Sequence, residues 1–247
     1  MAIMEAVGIG KQFGGLSANK DINCRFEEGK ITSIIGPNGA GKTTFFNILS
    51  GFYNPSSGNI YYHGKDITGW PIHKIARLGI TRSFQILNIF NDISPTENIR
   101  LAIQFRKKNG FNWFKPAMGF DDTNRETIEV LEEIGLLNVM SVPTKNLSYG
   151  DKRVLEIGIA LASRPKLLLM DEPTSGLPTS ETERIKKFIK KVSAKVTVVV
   201  IEHDMDIVLS LSDVIIVLQQ GEIIAQGSPS EIKNNSKVQE AYLGGIE

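Results

Sequence analysis

Gly36-Pro37-Asn38-Gly39-Ala40-Gly41-Lys42-Thr43 stands between a short β-branched run, Lys30-Ile31-Thr32-Ser33-Ile34-Ile35, and a stretch from Lys42 to Ser50 that suits a helix. The octet fits G-x-x-x-x-G-K-[ST] in the strand–loop–helix context that pattern needs. Its glycines let successive backbone N–H groups curl around phosphate oxygens with no side chain in the way. The helix start adds positive potential for an anion. Lys42 is placed to reach the outer phosphates of a nucleoside triphosphate, and the Thr43 hydroxyl to ligate Mg²⁺. Gly36, Pro37, Asn38, Gly39, Ala40, Gly41, Lys42, Thr43 and the adjoining Thr44 are therefore the candidate nucleotide-binding set. A chance match in a chain of ordinary glycine content is on the order of 1%.

Outward from the loop the chain alternates strands and helices. Leu167-Leu168-Leu169-Met170 and Val196 to Ile201 are continuous apolar runs, the pattern of parallel strands buried on both faces. Between them, Ser180 to Lys191 places Ile185, Phe188 and Ile189 on one helical face, as a βαβ crossover requires. Gly58 to Lys65 and Val214 to Gln226, which turns near Gln220-Gly221, read as hairpins. The fold class is α/β, a sheet parallel at its centre with an antiparallel accessory piece. Residues 90–165 read as helical. There Thr123 and Glu126 have the form of a capping box ahead of an apolar stripe, Ile128, Leu131 and Ile134, that stops at Gly135. The aromatic and basic stretch from Phe105 to Phe120 suits an insertion packing its own aromatics or a docking surface.

The strand from Leu167 ends in Asp171-Glu172. Ligands of doubly wound sheets bind at the carboxyl ends of strands, so both acids point at the phosphate site. Asp171 suits a Mg²⁺ ligand acting through water. Glu172 is free to orient or deprotonate an attacking water. His203 closes the strand from Val196, where it is either structural or a contact for the γ-phosphate. Ser148 is a good helix N-cap with Asp151 three residues on, which makes either a plain capped helix or a second anion site lacking its phosphate.

Composition narrows the class. The chain has 247 residues, with 28 Lys+Arg against 27 Asp+Glu, so it lacks the basic footprint of bulk-charge nucleic-acid binding. A lone cysteine, Cys24, forms no internal disulfide and fits a reducing, cytosolic setting. No apolar run approaches the roughly 18 residues of a membrane span, and Met1 to Gly10 has no signal-peptide pattern.

These residues together resemble the ATP-binding cassette ATPases over nearly the whole chain. Leu147-Ser148-Tyr149-Gly150-Asp151 stands where that family has its signature motif. Gln85, in Thr81-Arg82-Ser83-Phe84-Gln85, looks like its glutamine loop, His203 like its switch histidine, and Phe13 like the aromatic that stacks on adenine. The resemblance implies a P-loop NTPase (RecA-like) fold, with a mostly parallel sheet, an antiparallel β subdomain and an inserted helical subdomain. It implies one domain over residues 1–247, its nucleotide-binding core at about 1–90 and 165–247 and its helical part at about 90–165. Catalytic roles fall to Glu172 as general base, His203 at the γ-phosphate and Gln85 as a sensor. Thr43, Gln85 and Asp171 would hold Mg²⁺, and Ser148 and Gly150 would meet the ATP of a partner cassette bound head to tail. Tyr149 and Asp151 depart from the family's Leu-Ser-Gly-Gly-Gln, and Pro178 replaces the aspartate of its Leu-Asp loop.

A narrower likeness, in Gly79 to Gln85, Ile201-Glu202-His203-Asp204-Met205 and Ala241-Tyr242-Leu243-Gly244, is to the ATPases of branched-chain amino acid importers. It implies transmembrane permease subunits, a second ATPase subunit in a heterodimer or a homodimer, an external solute-binding protein and no nucleic acid. The implied place is peripheral, on the cytoplasmic face of the cell membrane. Import of urea or short amides, or a soluble ATPase of the same fold outside transport, are the alternatives.

Overall fold

The computed structural model describes residues 1–83, 89–107 and 121–243. Gln85 and most of the Phe105–Phe120 stretch lie outside the described residues. The chain opens with β1 (Ala2–Phe13) and β2 (Leu16–Glu27), then β3 (Ile31–Ile35) and α1 (Lys42–Leu49). Next come β4 (Ser57–Tyr62), β5 (Lys65–Asp66), α2 (Ile72–Arg77) and β6 (Ile80–Arg82). Helices α3 (Pro95–Arg106), α4 (Asp121–Glu133) and α5 (Tyr149–Ala162) precede β7 (Leu167–Asp171), α6 (Thr179–Ser193) and β8 (Thr197–Ile201). The chain continues with α7 (Met205–Leu211), β9 (Val214–Gln219), β10 (Glu222–Gly227), α8 (Pro229–Lys233) and α9 (Ser236–Leu243).

Six strands form the main sheet in the order β10-β9-β3-β8-β7-β6, parallel except where β10 folds back on β9. Each residue of β3, β7 and β8 is buried, as their unbroken apolar runs require. Alternate residues serve opposite faces. Leu167, Leu169, Val199 and Ile201 join a core with Phe45, Phe46 and Leu49 of α1. Leu168, Met170, Val198 and Val200 join another with Leu155 and Ile157 of α5 and Ile185, Phe188 and Ile189 of α6. The βαβ crossover and its apolar helical face are thus as the periodicity indicates.

A separate antiparallel sheet accompanies the mostly parallel one, as the sequence leads one to expect, and the two hairpins divide between them. β4 and β5 join β1 and β2 in a separate sheet of order β2-β1-β4-β5, whereas β9 and β10 form an edge of the main sheet. The reason is legible in hindsight, because Ile215 to Leu218 are all buried and suit a central position beside β3. β2 has a clear period of two, with Ile22, Cys24 and Phe26 buried and Asn23, Arg25 and Glu27 exposed. β1 hides the same pattern behind register shifts, including one between Ala6 and Ile9. Burial among these strands pushes the Cys24 thiol up to about 12.

Among the described residues between β6 and β7 the regular elements are all helical. Ser148 caps α5 as expected, its hydroxyl accepting the Asp151 N–H at 3.0 Å. The capping box at Thr123 is not there. Thr123 is buried inside α4, where its carbonyl accepts from the Thr127 hydroxyl. Glu126 instead takes Arg106, Lys107 at 3.0 Å and Arg164 at 2.9 Å, so its carboxylate is held by cations rather than by a helix end. Leu131 and Ile134 are buried, whereas Ile128 is exposed. Gly135, with φ of 73°, follows the helix as read from the sequence.

Candidate nucleotide site

The loop from Gly36 to Gly41 leaves the C-terminal end of β3 and feeds α1. Two glycines are irreplaceable on packing grounds. A Cβ on Gly36 would collide with the Leu218 carbonyl, and one on Gly41 with the Ala18 carbonyl. Both neighbours are backbone, so neither can yield. Lys42 is buried and folds back on its own loop, its Nζ donating to Gly36 O at 2.6 Å and Pro37 O at 3.0 Å. Burial draws its pKa below the ordinary lysine value, against the opposing pull of Glu172 and Asp171. An ammonium hydrogen-bonded to two neutral carbonyls, beside the exposed residues Asn38 and Gly39, is poised to exchange them for an anion.

The strand order places β8 and β7 next to β3, so their ends share the edge from which the loop springs. A cavity of about 650 Å³ is walled by Asn38 to Thr44 on one side and by Glu172, Ala18, Lys20 and Gln220 on others. Lys42, Thr43, Thr44 and Glu172 are therefore brought together as the motif reading expects. Asp171 is buried beneath them and accepts from Arg82 Nη2 at 2.8 Å. Glu172 adopts a left-handed backbone, φ 47°, rare for a residue with a side chain. Its N–H donates to Ile201 O at 3.0 Å, and its carbonyl accepts from Arg153 Nη2 at 3.2 Å. That strain turns the side chain of the residue after β7 toward the cavity.

His203 is exposed just beyond β8. Glu202 beside it is fully buried, its Oε1 accepting from the Thr174 N–H at 3.1 Å and the Thr174 hydroxyl at 2.6 Å. A link thus joins the loop after Glu172 to the histidine segment, and the sequence reading missed it. Arg82 and Arg153 were missed as well. Their neighbours in sequence, Thr81 and Ser83 for Arg82 and Asp151 and Lys152 for Arg153, give no sign that either is buried.

Other candidates lie elsewhere. Phe13 ends β1 and meets Tyr53 edge-on, centroids 5.4 Å apart, with the Lys11 ammonium 5.1 Å from its ring; it does not line the cavity. Ser148 and Gly150, at the start of α5, do not line it either. The Ser148 hydroxyl donates to Asp151 Oδ2 at 2.8 Å, and Asp151 in turn accepts from Arg184 Nη1 at 2.8 Å. Among the described residues no cluster of three or more His, Cys, Asp or Glu could hold a metal unaided. Among the described residues a cation here would rest on one carboxylate, Asp171, and one hydroxyl, Thr43, beside oxygens of the substrate, the pattern Mg²⁺ favours with phosphates.

A phosphate loop, a carboxylate pair on the neighbouring strand and a buttressed histidine segment on one sheet edge define a P-loop nucleotide hydrolase. The family described as ABC transporter matches residues 19–175, and a second, described as branched-chain amino acid ATP-binding cassette transporter, matches residues 222–247. The chain belongs to the ATP-binding cassette family, as the ATP-binding subunit of a transporter and an ATPase. It is 43% identical to the high-affinity branched-chain amino acid transport ATP-binding protein BraF of Pseudomonas aeruginosa, over 98% of each chain. It is 38% identical to LivG of Escherichia coli K12, likewise over 98% of each. Among solved structures, the ADP conformation of the cassette MJ1267 superposes with a TM-score of 0.88 at 30% identity over 99% of each chain. A dimeric cassette, MJ0796 bound to ADP and Pi, superposes at 0.76 with 26% identity over 92% of this chain and 98% of that one. Among the described residues no helix is long and apolar enough to cross a membrane.

Proposed function

We propose that this chain hydrolyses ATP with Mg²⁺ in a shared site formed with a second ATPase subunit, and that this drives import of branched-chain amino acids. The observation that carries the site is the cavity that unites Lys42, Thr43 and Glu172 while Ser148 and Gly150 stand outside it. Gly36 to Thr44 hold the phosphates, with Lys42 leaving the Gly36 and Pro37 carbonyls for phosphate oxygens. Mg²⁺, when bound, neutralises phosphate charge; Thr43, Asp171 and Gln85 are its protein partners. Glu172 orients and deprotonates the attacking water, and His203 donates to the γ-phosphate. Phe13, exposed at the end of β1, stacks on the adenine. Ser148 and Gly150 serve the nucleotide of the opposing subunit. The domain is single over residues 1–247, and its helical part, about 90–165, faces the permeases on the cytoplasmic side of the membrane.

The substrate class rests on the BraF and LivG relatives and on the C-terminal family match. The resemblance to branched-chain amino acid importers supports a heterodimer with a sister ATPase, fed by an external solute-binding protein. Glu172→Gln tests the chemistry. Turnover should fall by roughly 10²–10⁴, the usual worth of a general base, with nucleotide binding retained. Light scattering after size exclusion, with and without ATP and Mg²⁺, then asks whether the chain also pairs with itself, and a shift from monomer to dimer with ATP would support the shared site. Near-normal turnover would remove Glu172 from its role. A persistent monomer that still binds ATP would leave the heterodimer as the working unit.

A further inference from the structure

Arg82, the last residue of β6, joins three parts of the site. Its Nη2 donates to Asp171 Oδ2 at 2.8 Å, at the end of β7. Its Nη1 donates to Asn47 Oδ1 within α1 and to Ser50 Oγ, at 3.2 Å, just after that helix. The guanidinium also lies over Phe46 of α1, 5.1 Å from the ring centroid. The side chains of Arg82 and Asp171 are 11% and 5% exposed, so the pair sits almost wholly out of water.

Two features separate this arrangement from an ordinary structural ion pair. First, the guanidinium is anchored on α1 by Asn47, Ser50 and Phe46 independently of Asp171, so its charge stays in place whatever the carboxylate does. Second, its partner is the carboxylate assigned above to Mg²⁺, and α1 is the helix that begins with Lys42 and Thr43. A buried carboxylate with no compensating cation is strongly unfavourable, and beside a triphosphate it also repels the ligand. Something must neutralise it before a metal arrives.

We propose that Arg82 is a positioning residue for the ATPase site: it ties Asp171 to the helix of the phosphate loop and holds the positive charge there until the cation supplies it. The inference rests on the assignment of Asp171 to Mg²⁺. Arg is suited to the task because its planar fork serves carboxylate and helix at once and it stays charged at every working pH.

The proposal separates binding of ATP alone from binding of ATP with its cation. With Arg82 replaced by a neutral residue, bare ATP meets a carboxylate that keeps only the more distant charge of Lys42, whereas Mg²⁺-ATP brings its own compensation. Titration of the full chain with a fluorescent ATP analogue, in Mg²⁺ and in EDTA at equal ionic strength, reads both. For Arg82→Gln, affinity in EDTA should fall at least about tenfold and affinity in Mg²⁺ less than about threefold, as loss of one nearby charge in a half-dry site implies. Arg82→Lys, which keeps the charge, should return the ratio to within about threefold of wild type. Should Arg82→Gln not fold, Arg82→Met keeps the stem on Phe46 and serves the same test. An equal loss in both media, no loss in either, or no return with lysine would overturn the proposal. Equal affinity of the wild type with and without Mg²⁺ would instead overturn the Asp171 assignment and the inference with it.

Discussion

Glu202 shows how much a single buried acid can organise. It is fully buried and spends Oε1 on the Thr174 N–H and hydroxyl; among the described residues Oε2 has no hydrogen-bond partner and lies 4.0 Å from His203 Nδ1. Burial raises its pKa above the ordinary glutamate value, outweighing the Thr174 bonds and the pull of His203. A raised pKa means the folded chain holds a proton the unfolded chain releases. Its contribution to stability is therefore complete below the ordinary carboxylate range and is lost as pH rises through the folded value. Glu202→Gln keeps a carbonyl for Thr174 and removes the ionisation. Its stability advantage over wild type should grow as pH rises above the ordinary carboxylate range, read by thermal unfolding across pH. A constant or negative difference would mean the carboxylate stays ionised in the fold. Lys42, Asp171, Glu172 and His203 were legible because motif and strand end coincide. Glu202 and Arg82 were not, since a charged residue at a strand end reads by default as exposed, and only the folded neighbours reveal otherwise.

At the scale of elements, α5 and α6 meet where the motif departs from its family. A Cβ on Gly150 would collide with the Glu181 carboxylate of α6, and Arg184 bridges Glu181 at 3.4 Å to Asp151 at 2.8 Å. Asp151 thus serves its own chain, which gives the unusual fifth position of the motif a structural reason. Glu181 is the far end of a flexible side chain and can move aside, and alanine is the better helix former by up to about 1 kcal/mol. Gly150→Ala should therefore change stability to urea by less than about 1 kcal/mol, yet abolish ATP-driven pairing in the Glu172→Gln background. A loss above about 2 kcal/mol would show Glu181 locked against the helix. The helices themselves were legible wherever an apolar stripe ran three or four residues apart, as in α6. The start of α4 was not, because Thr123 and Glu126 imitate a cap while their side chains serve the interior and the cations of neighbouring segments.

Across the whole molecule, the main sheet is covered on both faces, and a third small core closes its β9 end. There Ile232 of α8 and Val238 of α9 pack with Val208, Val217 and Ile35, the residue immediately before the phosphate loop. Tyr242 joins the same cluster, its pKa pushed up to about 12 by burial. A chain ending after Gly227 would lose both buried anchors, each worth roughly 1.5–3 kcal/mol. Urea unfolding should show a deficit of several kcal/mol, with weaker ATP binding because Ile35 loses its backing; unchanged stability would make the C-terminal helices an ornament. Parallel order was legible from the buried runs, but which strands adjoin was not, since pairing partners lie far apart in the chain. That distance has a consequence for biosynthesis. β3 leaves the ribosome early, yet its neighbours on both sides, β8 and β9, lie beyond residue 196. At roughly 5–20 residues per second the unfinished loop waits on the order of ten seconds for the strands that flank it. Throughout that interval the nascent chain carries a nucleotide motif with no working pocket, so ATP can stabilise this fold only after β8 and β9 have emerged.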